Sequence, residues 1–322
     1  MRTSLRFNND LPIEDFVRIA VLAEEAGFDQ LWVSHDLFWR SAPVLMTAAA
    51  RATTRIELGA GVFNPVSMHT SEIAMVAASL SEVSGGRMLL GIGAGADRFL
   101  DWARLPYETP VTRTRKAISE LRALLAGEVP DGWQEEGRLR TGPVAVPIYV
   151  GAMGPKMLGL AGELADGALP LLFPPEHYLQ AAAQIEAGAL RAGRELSAVD
   201  VAACIWCSID ADPAKARRAL AEKIAYYGPS FAPYLLGRAS ITLEDFGPIQ
   251  EELARGNQSR AAELVTPRML SLGIAGGVDE VIERCRGLIA GGAGHISFGP
   301  PLGPDPMRAV VALGREVLPA LG

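Results

Sequence analysis

Residues 56–95 read IELGAGVFNPVSMHTSEIAMVAASLSEVSGGRMLLGIGAG, and this stretch decides the fold. Ile56–Val62 is a short apolar segment of strand character that closes on glycines. Ile73, Val76, Ala77 and Leu80 then share one helical face, until Ser84-Gly85-Gly86 breaks the helix and a second apolar run, Met88–Gly93, begins. Strand, helix, strand is the unit that links two parallel strands through a crossover helix.

The same unit opens the chain. Between strand segments at Ser4–Phe7 and Gln30–Ser34, the residues Ile13, Phe16, Val17, Ala20 and Ala23 recur on one face, with Asp10 as cap, Pro12 near the first turn and Gly27 as stop signal. Further strands are expected at Ile148–Gly151, Gly167–Leu171, Val201–Ser208 and His295–Gly299, which brings the number to eight. A doubly wound open sheet would give similar alternation, but no early strand-linked Gly-x-Gly-x-x-Gly with a following ribose acid is present. The expectation is therefore an α/β protein, a (β/α)8 TIM barrel with loop insertions, spanning residues 1–322 as one domain. Two stretches break the repeat: Gly127–Val146, rich in Gly, Pro and charge, and Gly228–Gly256. Insertions of this kind are binding loops or lids, so 228–256 is expected over or near the catalytic rim, with an oligomer contact as the alternative.

Composition narrows the function. A hydrophobic fraction of 49% without a run of about 18 apolar residues predicts a buried core and no membrane span. Met1–Asp15 carries Arg2, Arg6, Asp10, Glu14 and Asp15 where an export signal needs an apolar run. Three cysteines, Cys204, Cys207 and Cys285, provide no disulfide framework and point to a reducing cytoplasm. A net charge of −7 without clustered Lys and Arg argues against nucleic acid and favours a small-molecule partner.

In a barrel the chemistry lies where strands hand over to loops at their C-terminal ends. Gly59-Ala60-Gly61-Val62-Phe63-Asn64-Pro65 allows the backbone to bend or a flat ligand to approach, or is an ordinary tight turn. Gly91-Ile92-Gly93-Ala94-Gly95-Ala96-Asp97 exposes backbone amides that suit a phosphate or the polar edge of a ring. Gly151-Ala152-Met153-Gly154-Pro155-Lys156 precedes a helix whose free N–H groups, with Lys156, attract anions; the plainer reading is a helix start with a solvated charge. Trp32-Val33-Ser34-His35-Asp36-Leu37-Phe38-Trp39 offers an acid–base pair beside three aromatic rings, or a turn cap.

Other candidates carry less. Cys204-Ile205-Trp206-Cys207 has metal spacing, but residues three apart on a strand face opposite ways, so these cysteines read as packing residues. His69, His177 and His295 show no ligand spacing, and no Ser, His and acid set stands in a nucleophile elbow. No metal is expected.

Taken in order, these strand ends resemble the bacterial luciferase superfamily, and within it the methylenetetrahydromethanopterin reductases. The resemblance covers nearly the whole chain, through Gly61-Val62-x-Asn64-Pro65, Gly85-Gly86-Arg87-x4-Gly91-Ile92-Gly93-x-Gly95, Gly151-Ala152-x-Gly154-Pro155-x-Met157-Leu158, Ala161-Gly162-Glu163-x2-Asp166-Gly167-Ala168 and Pro301-x-Gly303-Pro304-Asp305. It implies coenzyme F420, a deazaflavin that carries hydride, or FMN as in more distant relatives. It also implies a non-prolyl cis peptide at Gly61–Val62, a ring cradle at Gly61, Val62, Asn64, Gly93, Ala94 and Gly95, and a cofactor phosphate at Gly151–Lys156.

Three positions depart from the family pattern. The usual Asp-then-His after strand two is His35 then Asp36, the acid after the fourth-strand glycines is Ala96 with Asp97 one place on, and the strand-one acid is Arg6. Arg6, His35, Asp36 and Asp97 are thus the candidate catalytic residues, and the substrate differs from the methanopterin. The competing readings are an FMN-dependent monooxygenase and a barrel that only sequesters cofactor. A cytoplasmic homodimer or larger homo-oligomer is expected.

Overall fold

The computed structural model describes residues 1–95, 97–106 and 108–322, apart from the side chain of Asp97. Nine strands form one sheet: β1 Arg2–Phe7, β2 Gln30–Val33, β3 Glu57–Phe63, β4 Met88–Ile92, β5 Ile148–Ala152, β6 Gly167–Pro170, β7 Asp200–Ile209, β8 Ile274–Gly276 and β9 His295–Leu302. Their order is β6-β5-β4-β3-β2-β1-β9-β7-β8, and a further β6–β7 pairing returns the sheet on itself, which gives the (β/α)8 barrel. All eight expected strands are present. The additional strand, β8, pairs with β7 through Cys207 and Ile274, Ser208 and Ala275, and Ile209 and Gly276. At three residues it is too short to carry any periodicity.

By internal packing the chain divides into two units. The first comprises Ser4–Pro170 with Ala181–Ala202; the second comprises Met1–Thr3, Leu171–Gln180 and Ala203–Gly322.

In the first unit, the segment quoted above folds as its pattern predicts. The helix Thr70–Ser84 buries Ile73, Ala74, Ala77 and Leu80, so the buried stripe turns slightly away from Val76. His69 caps its start by accepting the Ser71 N–H. Gly85 and Gly86, at φ 67° and 87°, adopt the left-handed conformation that ends it, and the Gly86 N–H returns to the Ser81 carbonyl at 2.7 Å. Arg87 then finishes a neighbouring helix. Its guanidinium donates to the carbonyls of Ala50, Thr53 and Ile56 at 3.0, 3.0 and 2.7 Å, taking up groups that the end of helix Ala42–Ala52 leaves without partners.

Glu24, near the end of helix Ile13–Glu25, binds the same corner from the other side. Its carboxylate accepts the backbone N–H groups of Thr54, Arg55 and Ile56. Burial alone would raise its pKa, but these hydrogen bonds, led by Ile56, outweigh burial and hold it down to about 2. That helix starts at Pro12 and not at an Asp10 cap, because the Phe16 N–H bonds the Pro12 carbonyl at 3.0 Å and the Asp10 carbonyl accepts from Arg40.

The barrel interior of this unit is organised by Trp32, which is 1% exposed. A Cβ on Gly59 would lie 2.2 Å from its indole, and one on Gly91 would lie 2.1 Å from the Ala60 carbonyl oxygen. Both glycines are therefore demanded by packing. Below Trp32, at the N-terminal strand ends, a polar network closes. Trp32 Nε1 donates to Gln30 Oε1 at 2.9 Å, Gln30 Nε2 donates to Glu57 at 3.0 Å and to the Tyr149 hydroxyl at 3.4 Å, and Tyr149 donates to Asp200 at 2.8 Å.

In the second unit, the stretch 228–256 is mostly helical, with helices at Pro233–Gly237 and Gly247–Ala254 that bury Leu235, Leu236 and Ile249. Cys204 and Cys207 are buried in β7. Desolvation pushes the Cys207 thiol well above its ordinary pKa and the Cys285 thiol up to about 12, so both stay protonated packing groups. Among the described residues, no helix is long and apolar enough to cross a membrane.

Candidate active site

The candidate site lies wholly within the first unit, at the C-terminal ends of β2 to β5. Its centre is the end of β3, where the register against β4 shifts between Ala60 and Phe63 and the Gly61–Val62 peptide is cis, as the resemblance implied. Val62 then sits between two neighbouring strands. A Cβ on Gly93 would stand 2.9 Å from Val62 Cγ2, and one on Gly151 would stand 2.9 Å from Val62 Cγ1. Gly61 differs from both, since a Cβ there would meet only ordinary contacts at 3.6 Å or more.

Asn64 binds the next turn together. It is 7% exposed; its Oδ1 accepts the Val66 N–H at 2.8 Å and its Nδ2 donates to the Ala94 carbonyl at 2.5 Å. Gly95, at φ 66°, passes so close that a Cβ would fall 2.9 Å from Asn64 Nδ2. The Gly93 N–H donates to the Phe63 carbonyl at 3.1 Å, so the ends of β3 and β4 are joined by both side chain and backbone.

At the end of β5, Ala152 is buried while Met153 and Gly154 are half-buried. Helix Pro155–Leu164 begins at Gly154 with no side-chain cap, and Lys156 stands exposed in its first turn. An uncapped helix start beside a lysine is chemically suited to an anion such as phosphate.

The β2 end separates the two residues that the sequence left as a pair. His35 Nδ1 accepts the Ala42 N–H at 3.2 Å, where helix Ala42–Ala52 starts, and its ring meets Phe63 edge-on at 5.1 Å. Burial lowers its pKa, and with Nδ1 used as an acceptor the neutral ring carries its proton on Nε2. This is the turn-cap arrangement. Asp36 is half-buried and is held by Ser34, whose hydroxyl lies 3.1 Å from Asp36 Oδ2 and 2.8 Å from Asn9 Oδ1. Asn9 Nδ2 donates to the carbonyls of Asp36 and Arg40 at 2.9 and 2.7 Å.

Asn9 was not singled out from sequence. It is 0% exposed and lies two residues beyond β1, and that position past a strand end is the signal that could have marked it. Arg6 stands in register with Trp32 on the adjacent strand, so the two side chains share a face of the sheet, and Arg6 is half-buried there. The side chain of Asp97 lies outside the described residues. Of the three aromatic rings expected to wall the site, Trp32 is core, whereas Phe38 and Trp39 are 68% and 58% exposed.

Comparison with known proteins agrees with this geometry. The luciferase-like monooxygenase family model matches residues 3–295. A 5,10-methylenetetrahydromethanopterin reductase of Archaeoglobus fulgidus is 33% identical over 100% of this chain and 100% of its own length. An F420-dependent glucose-6-phosphate dehydrogenase of Beutenbergia cavernae is 31% identical over 95% of this chain and 93% of its own. The solved structure of the coenzyme F420 dependent tetrahydromethanopterin reductase from Methanopyrus kandleri matches at a TM-score of 0.91 and 30% identity, covering 100% of this chain and 99% of that one. With its fold, its strand-end architecture and its full-length relatives in agreement, the chain belongs to the luciferase-like monooxygenase family.

Proposed function

We propose that this protein is a coenzyme F420-dependent oxidoreductase that transfers hydride between the deazaflavin and a small organic substrate. The observation that carries the reading is the convergence of the β3, β4 and β5 ends on Val62 and Asn64. Glycine at 93, 95 and 151 is required there because any side chain would strike Val62 or Asn64, while Gly61 is left without a packing reason of its own. That contrast suits a surface of bare backbone against which a flat ring is laid. The names and full-length coverage of the relatives support the same cofactor.

In this reading Gly61, Val62, Asn64, Gly93, Ala94 and Gly95 hold the ring, and Gly151, Ala152, Met153, Gly154, Pro155 and Lys156 hold the phosphate end. When bound, the deazaflavin supplies the carbon that gives or takes hydride. The chain supplies position and a proton site. Ser34 and Asn9 fix Asp36, which gives or takes a proton at Oδ1 or Oδ2. His35 orients the loop through the start of helix Ala42–Ala52 and stays neutral. Arg6, on the face of Trp32, contributes a fixed positive charge toward the barrel interior. Because these positions depart from the family pattern, the substrate is taken to differ from tetrahydromethanopterin. The reading includes a cytoplasmic homo-oligomer.

Titration of the protein with coenzyme F420 tests the cofactor: saturable quenching of deazaflavin fluorescence at micromolar protein is expected. Tight FMN binding with oxygen uptake on reduction, and no F420 binding, would replace this reading with a flavin monooxygenase.

A further inference from the structure

The first unit carries exposed aromatic rings beside the candidate site. Phe38, on the loop after β2, and Trp102, in helix Asp97–Trp102 after β4, are 68% and 51% exposed, yet their ring centroids lie only 6.2 Å apart. β2 and β4 flank β3 in the sheet, so these rings join the loops on either side of the strand that ends in Gly61–Val62. Phe38 stands two residues past Asp36, the acid held by Ser34, and Trp102 follows Gly95 of the cradle on the same strand-end connection.

Both rings are fixed in place. Phe38 has φ 70°, the left-handed conformation that disfavours a bulky side chain, so the backbone is strained at a residue whose ring gains little burial. The Trp102 indole has the Arg98 guanidinium 4.8 Å from its centroid and the Phe99 ring edge-on at 5.4 Å. Strain kept for an exposed ring, and an indole held by two neighbours, make a preorganised contact surface. Its size decides the class of occupant. Taking about 200 Å² for an aromatic side chain, Phe38, Trp39 and Trp102 together expose roughly 350 Å², under half of the ~800 Å² per partner of a stable protein interface. The surface is sized for a small molecule.

We propose that Phe38 and Trp102 form a stacking platform that selects substrates carrying a flat, apolar ring next to the carbon that exchanges hydride. The platform names the substrate class of the F420 chemistry proposed above, and as a substrate site it rests on that chemistry. A phenyl and an indole gain from a third ring through offset or edge contacts, and gain little from a polyhydroxylated chain. Because Phe38 and Asp36 share one short loop, a ring bound here sets its attached carbonyl or carbinol beside the loop that carries the proton site.

Ligand-observed NMR titration of the full chain tests it, with acetophenone as the ring-bearing probe against acetone and glucose 6-phosphate. The expected result is saturable binding of acetophenone, with no saturation by the other two over the same concentrations. Trp102→Ala and Phe38→Gly each weaken acetophenone binding about three- to tenfold, the worth of one ring contact. Both variants keep the wild-type quenching of F420 fluorescence, and Phe38→Gly melts no lower than the wild type, because glycine suits its left-handed backbone. Absence of saturable acetophenone binding, binding that both variants retain in full, or equal binding of acetone or glucose 6-phosphate would each overturn the proposal. So would variants that sediment as smaller species than the wild type, since the rings would then be a contact between copies of the chain. Absence of F420 quenching in the wild type strikes the cofactor reading instead, and the acetophenone titration still decides the platform.

Discussion

The two ends of β2 to β5 are built from opposite materials. At the N-terminal ends, Gln30, Glu57, Tyr149 and Asp200 form a chain of side-chain hydrogen bonds roofed by Trp32. At the C-terminal ends the backbone itself is the surface, with glycines stripped back around Val62 and Asn64 and, among the described residues, an anchored carboxylate at Asp36. The first arrangement closes a core, and the second leaves backbone amides and the Asp36 carboxylate to meet a ligand. In a barrel this division is expected of the face that stabilises and the face that reacts.

The comparison breaks most sharply under substitution. Asp36→Asn removes the proton carrier and should lower kcat by about 10²–10⁴-fold with F420 affinity and Tm close to wild type, as steady-state kinetics and fluorescence titration would show. A matching loss of affinity would mean that Asp36 serves the cradle and not the chemistry. Gly59→Ala places its Cβ 2.2 Å from the Trp32 indole and should cost about 3 kcal/mol of stability in denaturant unfolding. Gly61→Ala meets only ordinary contacts at 3.6 Å or more and should instead weaken cofactor binding while unfolding near wild type. If both glycines behaved alike, the division between packing and binding glycines would fail.

Smaller effects sharpen the lower region. Tyr149→Phe removes the hydroxyl that joins Gln30 to Asp200 and should lower stability by about 2 kcal/mol with turnover unchanged. Glu24 gives a pH signature. Its folded pKa, held down to about 2, lies below the ordinary carboxylate value of 4.5, so its contribution is complete above pH 4.5 and is lost as pH falls toward 2. Because the group is only partly buried, Glu24→Gln should cost about 1 kcal/mol at pH 7, and the gap between the two urea midpoints should shrink toward zero in acid.

Much of this was readable before any coordinates. The eight expected strands are present because each is an apolar run bounded by Gly, Pro or a helix-period segment. The Gly85-Gly86-Arg87 turn was legible as a break, although the role of Arg87 in finishing another helix was not, since its carbonyl partners at Ala50, Thr53 and Ile56 are distant in sequence. β8 escaped because three residues show no period. Glycines at strand ends were visible as a class, but whether each makes room for Trp32, for Val62 or for a ligand depends on what faces it across the barrel. The same limit hid Asn9, and it left His35 and Asp36 as an undivided pair until the start of helix Ala42–Ala52 took one of them.

The most direct test of the central claim is equilibrium titration of coenzyme F420 into wild-type protein and Gly61→Ala, followed by deazaflavin fluorescence. The account predicts saturable quenching at micromolar wild-type protein and a clearly weaker curve for the variant at unchanged Tm. No quenching by the wild type, or superimposable curves for the two proteins, would contradict it.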